Sequence, residues 1–243
     1  MTDALAITEL SMHGDMRRLD LIAHNLANAN TSGFKRDFAV THSFDSYFNF
    51  EVKNSTQGGL SAPQFQQLTD FRNGAFKYTG NPLDMAIEGK GFLELSTPSG
   101  TMYTRQGTLA LDASGRLVTA NGYVINGMDG PIRLRSSEAF IDKQGKIWEG
   151  EELMGQLKIS VTDTLDDMVK IGEGLYQSNR EMKMSSGDSN TTVRQGYVET
   201  SNVITMNEMV HMMETMRHFE LSQKLVKAYD EMQETAMSKI GDF

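Results

Sequence analysis

Three side chains near the C-terminus have the types and the spacing to hold a divalent metal. His211, Glu214 and His218 stand at i, i+3 and i+7, on one face of a helix. Imidazole nitrogen and carboxylate oxygen are zinc-type ligands. The gap of seven between the histidines is wider than the usual i, i+4 pair, however, and a solvated polar stripe accounts for the same residues. Gly89-Lys90-Gly91 sets a cation between glycines but lacks the third glycine and the following helix pattern of a phosphate loop. Arg105 has no acid partner that the sequence identifies. Glu151-Glu152 and Asp166-Asp167 read as solvated acid pairs in loops. His24, beside Asn25, reads as a helix-end packing residue, and His13 and His42 have no evident partners. Neither Gly-x-Ser-x-Gly nor His-Glu-x-x-His occurs. No catalytic, cofactor-binding or metal-binding residue is therefore assigned, and the chain is read as a non-enzyme.

The bulk numbers narrow the classes further. The chain has 243 residues, room for one or two domains with a real core. Its net charge is −9. Nucleic acid is a poor partner for such a chain, because phosphates are neutralised by clustered Lys and Arg. There is no Cys, so disulfides, zinc thiolates and thiol nucleophiles are absent together. The N-terminal stretch MTDALAITELSMHGDMRRLD lacks a basic region followed by an apolar one, so no cleavable secretory signal is expected. No apolar run approaches the roughly 20 residues of a membrane-spanning helix.

The elements that would position any site are unevenly distributed. Residues 3–29 read as a helix, with Leu5, Met12, Leu19 and Leu26 recurring every seven residues and Met16, Ile22 and Ala23 widening the stripe. Asp3 is a plausible N-cap, and Asn28, Asn30 and Gly33 tolerate the left-handed backbone that ends a helix. Residues 37–80 scatter Phe38, Phe44, Tyr47, Phe48, Phe50, Phe65, Phe71 and Phe76 among small polar residues without a period. They read as extended chain that needs a neighbour.

From 81 to about 180, turn signals at short intervals predict β-structure. LDASGRL (111–117) and IDKQGKI (141–147) echo one another and predict two like hairpins. Trp148, after the second echo, reads as a core anchor. Residues 181–204 are polar connection. Thr205-Met206-Asn207-Glu208 fits a capping box, opening a helix to about Lys239. The fold class expected is α+β, with the long terminal helices pairing as a coiled coil and a central all-β domain between them in the sequence. Residues 1–36 and 200–243 would form the helical inner domain, 37–80 and 181–199 the extended connection, and 81–180 the β-rich outer domain.

Helices of about 40–50 Å outrun a β-domain of about 100 residues. Paired only with each other, they would leave part of each apolar stripe bare. The exposed remainder drives association, so the chain reads as a subunit of an assembly. Five of the eleven residues from 206 to 216 are Met, which adapts to non-identical partners. Simple core filling at helical spacing is the other reading of those residues.

The stretch NLANANTSGFKRD (25–37) resembles the N-terminal signature of the bacterial flagellar axial proteins, the rod and hook family. The matching positions are Asn25, Leu26, Ala27, Asn28, Thr31, Gly33 and Phe34, with Lys35 and Arg36 after them. TGNPLDMAIEGKGFLEL (79–95) resembles that family's entry to its β-domain, and YTRQGTLALDASGRLVTANGYVI (103–125) its next segment. YVETSNVITMNEM (197–209) and MRHFELSQK (216–224) resemble its C-terminal lead-in and helix. These matches stand in the expected order along most of the chain. Length and the Arg-x-Phe-Glu-x-x-x-Lys pattern at 217–224 lean toward a proximal-rod member, with a distal-rod member as the alternative.

The resemblance implies a structural subunit whose terminal helices line a helical tube that transmits motor torque. Its partners would be copies of itself, other rod proteins and the flagellar type III export apparatus, with no nucleic acid and no small-molecule substrate. Its place would be the periplasmic rod of the basal body. Leu5, Met12, Leu19 and Leu26, with Met209, Met216 and Phe219, would bury the inter-helix and inter-subunit seams. Asn25, Asn28 and Asn30 would satisfy backbone groups at the bend, Thr31 belongs to the signature, Gly33 supplies a special backbone conformation, and Phe34 would pin the linker to the next subunit. Two classes stay open beside this one: a binding module with its helices paired within the monomer, and an enzyme with a site in the β-domain.

Overall fold

A computed structural model describes residues 2–41, 65–162, 168–178, 182–184 and 191–241. Phe44, Tyr47, Phe48, Phe50, His42 and the Asp166-Asp167 pair lie outside the described residues. An N-terminal helix, α1 (Thr2–Ala27), and a C-terminal helix, α2 (Thr205–Gly241), flank a β-rich middle. No described helix is long and apolar enough to cross a membrane. The chain divides into two compact units, one of residues 1–27, 37–70 and 204–243, the other of residues 28–36 and 71–203.

In the first unit α1 packs against α2. Asn25 meets Glu208 and Asp15 meets His218, so the helices run antiparallel. In that register the end of α2, with Met232 and Met237 exposed, runs on past the start of α1. The least exposed positions of α2 alternate in type. Glu208, Thr215 and Ser222 are buried, and Met212, Phe219 and Val226 are half-buried. Each series repeats every seven residues, and together they step by four and three. On α1 the half-buried Met12, Leu19 and Leu26 repeat every seven, beside buried Asp15, Ile22 and Asn25. The helix begins one residue earlier than the capping box required. Thr205 is already helical, the carbonyl of Ile204 takes the Glu208 amide, and the Glu208 carboxylate meets Asn25. Strands 37–41 and 65–69 pair antiparallel in the same unit.

The second unit is built on a ten-stranded sheet around the central strand Gly91–Thr97. One edge of that strand carries 100–104, and the other is shared by 124–127 and 159–161. Buried Leu93, Leu95, Leu117, Ile125 and Ile147 belong to its main core. The two echoed loops adopt one geometry. Oδ1 of Asp112 accepts the amides of Ser114 and Arg116 at 2.8 Å each. Oδ1 of Asp142 accepts those of Gln144 and Lys146 at 2.8 Å each. Gly115 and Gly145 supply the positive φ, at 72° and 77°.

Two expectations change here. Trp148 is only half-buried, because its neighbour Ile147 takes the inward position, and it pairs across the ladder with the exposed Phe140. Residues 192–195 and 197–199, read as connection, are strands paired with 85–88 and 76–78. Their Thr, Val and Tyr content suits a strand, but the partners lie over 100 residues away and leave no local signal.

Candidate functional site

The signature residues fall into two groups, one in each unit. In the first, Asn25 is buried at the C-terminal end of α1. Its Nδ2 donates to the Asp37 carbonyl at 2.7 Å, and its Oδ1 accepts the Asp37 amide at 2.9 Å. A primary amide is the side chain that carries a donor and an acceptor side by side, so it stands in for a strand neighbour. The same Nδ2 lies 3.3 Å from Glu208 Oε2. Asp37 in turn accepts the Thr69 hydroxyl at 2.7 Å, and His24 Nδ1 lies 3.9 Å from its carboxylate. Further along the helices, His218 Nδ1 meets Asp15 at 2.5 Å.

The three candidate metal ligands are thereby split. His211 lies 3.5 Å from Glu214, while His218 reaches Asp15 on α1. Among the described residues no group of three such side chains converges on one point. Met12, Leu19, Leu26 and Phe219 are half-buried. Leu5, Met209 and Met216 keep 37%, 46% and 49% of their surface exposed. Met206, Val210 and Met213 are exposed beside them.

In the second unit, residues 28–36 form a docked linker. Thr31 bonds to the Asn28 carbonyl and side chain, closing a turn, and Asn30 is exposed. Gly33 has φ +69° and donates its amide to the Glu199 carbonyl at 2.8 Å. A Cβ at Gly33 would lie 2.6 Å from the backbone carbon and oxygen of Arg105. Phe34 was expected to pin a neighbouring subunit. It is instead 4% exposed in its own chain, with Lys170 Nζ 3.8 Å over its ring. A large apolar ring beside a folded sheet is covered where it lies, and Lys170 also bonds the Lys35 carbonyl at 2.9 Å.

Next to Phe34, the Lys35 side chain is fully buried. Its Nζ donates to Glu199 Oε1 at 2.6 Å and to the Arg72 carbonyl at 2.9 Å. The Gly74 amide donates to the same Glu199 oxygen at 2.9 Å. Arg105 is the second buried cation. Its Nη1 donates to the Ile87 carbonyl at 2.9 Å and lies 3.6 Å from Glu199 Oε2, and its Nη2 donates to the Gly89 carbonyl at 2.5 Å. Burial pushes the Arg105 guanidinium below its usual range, and the Glu199 carboxylate opposes that shift. Asn202 completes the seat, accepting the Arg36 amide at 2.7 Å and donating to the Arg72 carbonyl at 3.1 Å.

Lys35, Glu199 and Glu208 carry as much of this geometry as the residues singled out in sequence. Each stood inside a quoted signature, but only the fold pairs Lys35 with Glu199, 164 positions away. Such an arrangement holds segments in register.

The comparisons agree with that reading. Residues 16–35 match the family described as flagella basal body rod protein. Residues 86–172 match the flagellar hook protein FlgE/F/G D1 domain, and 194–239 the flagellar basal body rod FlgEFG protein C-terminal family. Flagellar basal-body rod protein FlgG of Buchnera aphidicola subsp. Acyrthosiphon pisum is 32% identical, over 96% of this chain and 97% of its own. FlgG of Bacillus subtilis is 31% identical over 88% and 90%, and FlgF of Mesorhizobium japonicum 28% over 99% of both. The chain belongs to the flagellar basal-body rod and hook FlgE/F/G family. Asn25 and Lys35 fall in the first matched segment, Arg105 in the second, and Glu199 and Glu208 in the third.

Proposed function

We propose that this chain is a structural subunit of the flagellar basal-body rod, of the proximal-rod type, polymerising through its terminal helices into the shaft that carries motor torque. Beside the family membership, one observation carries the reading. α2 leaves Met206, Met209, Val210, Met213 and Met216 exposed along one stretch, more apolar surface than a lone surface helix keeps. Leu5, Met209 and Met216 would bury inter-subunit seams, while Met12, Leu19, Leu26 and Phe219 hold the helices together. The alternating four- and three-residue steps on both helices support a coiled-coil inner layer of 1–36 and 200–243. Residues 81–180 would lie outside it, joined through 37–80 and 181–199.

Asn25, Asn28, Thr31, Gly33 and Phe34 act within the subunit in this reading, shaping the bend that presents the helices. The partners are copies of the chain, other rod proteins and the flagellar type III export apparatus, which would deliver the chain to the periplasm. No catalysis, cofactor or nucleic acid enters the reading. A distal-rod subunit is the second reading, supported by the 31–32% identity to FlgG proteins. Deleting the coding region in the native host, and gold-labelling a tagged copy in purified basal bodies, tests both. The proximal reading expects non-motile cells and label on the inner-membrane half of the rod. Label on the outer half selects the distal reading, and a deletion strain that swims normally overturns both.

A further inference from the structure

The sequence holds 17 Met and no Cys, so the thioether is the only form of sulfur that an oxidant can meet. Met206, Met209, Met213 and Met216 step by three, four and three along α2, which sets them on one face of the helix. Each of the four keeps 46% or more of its surface exposed. Met85, Met102 and Met168, in the β unit, keep 6% or less. One chemical group thus stands in two settings within one chain. A thioether has no proton to lose before it reacts, so access to the sulfur decides which Met is oxidised first. Leu would give the same face a comparable apolar surface without that reactivity.

We propose that Met206, Met209, Met213 and Met216 form a reversible oxidation site, whose modification by hydrogen peroxide withdraws the chain from self-association. A sulfur lone pair attacks one peroxide oxygen, the O–O bond breaks and a sulfur–oxygen bond forms. The remaining oxygen leaves as water, taking the proton of the transferred one. Each thioether is oxidised to the sulfoxide while the peroxide is reduced. In the free chain the new sulfoxide oxygen stands in water. Between two chains it would face apolar side chains and lose its hydrogen bonds to water, which opposes association. Methionine sulfoxide reductases, one for each sulfoxide epimer, return the thioether. Association covers the same sulfurs, so the free chain is the form open to peroxide. The loss of association rests on the assembly role proposed for the α2 face, whereas the order of oxidation rests on burial alone.

Treating the full chain with dilute hydrogen peroxide tests it, read by peptide mass spectrometry for added oxygen and by sedimentation for association. The four α2 sulfurs should oxidise at least about tenfold faster than those of Met85, Met102 and Met168, and equal rates overturn the site. Oxidised chain should keep its helical circular dichroism and associate at least about tenfold more weakly, until the two reductases restore it. Association that survives oxidation of all four, or that stays lost after their reduction, overturns the proposal. The quadruple variant M206L/M209L/M213L/M216L keeps the face apolar and removes its sulfur. It should associate as wild type does and be indifferent to peroxide. A variant that peroxide disperses as readily as wild type places the effect at other residues and is equally fatal. A chain that never associates, even before peroxide, is a different failure. It overturns the assembly role of the α2 face, and the comparison of oxidation rates then decides the site by itself.

Discussion

At Gly33 two requirements meet, and neither is visible from residue type alone. The backbone is left-handed, and the space a Cβ would take is filled by the Arg105 main chain. Gly122 has a similar φ, +84°, with nothing within 4 Å of its built Cβ. The pair separates strain from collision. Gly122→Ala should cost about 1 kcal/mol, the price of the conformation. Gly33→Ala should cost about 3 kcal/mol or more, because backbone cannot step aside as a side chain can. Urea unfolding of both variants measures the difference, and equal losses would show that the linker is not held against Arg105.

A second residue-scale effect concerns acid. Hydrogen bonds from the backbone and side chain of Arg116 hold the Asp112 carboxyl below its usual 3.8. A carboxylate whose folded value is depressed stabilises the fold fully above the unfolded value. That contribution declines below about pH 3.8 and is gone once the folded value is passed. The amide shifts of Ser114 and Arg116 should therefore stay constant at neutral pH and move together only in that acid range. Movement near pH 6 would mean that Asp112 does not hold the loop.

On the scale of elements, the rows of the two helices do different work. Phe219 lies half-buried in the row with Met212 and Val226, while Met209 and Met216 lie outside it. Phe219→Ala should lower the melting of the helices in dilute chain, by about 1–3 kcal/mol. Met209→Gln with Met216→Gln should leave that melting unchanged and weaken self-association. Circular dichroism and sedimentation on the same samples check both, and a reversed pattern would exchange the two rows. The helices and their seven-residue repeat were legible because periodicity is local. So were the twin hairpins, since Asp and Gly write their turn into seven residues. Which α2 row turns to α1 was not legible, because Met at every third or fourth position makes neighbouring rows equally apolar. The buried row proved to hold Glu208, Thr215 and Ser222, polar residues that hydropathy assigns to the outside.

For the molecule as a whole, class and site were legible to different degrees. The order of the signatures pointed to the family, and the family models overlap the same segments. The Lys35–Glu199–Arg105 cluster was not legible, because a salt bridge across 164 residues has no counterpart in spacing. Limited proteolysis of dilute chain should leave a resistant fragment spanning 71–203, the β unit, with early cuts in the exposed end of α2. Termini as resistant as that fragment would remove the physical motive for assembly.

The unequal helices leave one matter of construction. Since α2 runs on past the start of α1 with Met232 and Met237 bare, each piece ends in a tongue that no described residue of its own covers. A column raised from such pieces must borrow each socket from the course beside it. Like brickwork laid in stretcher bond, it then has no straight joint along which a twist could open it.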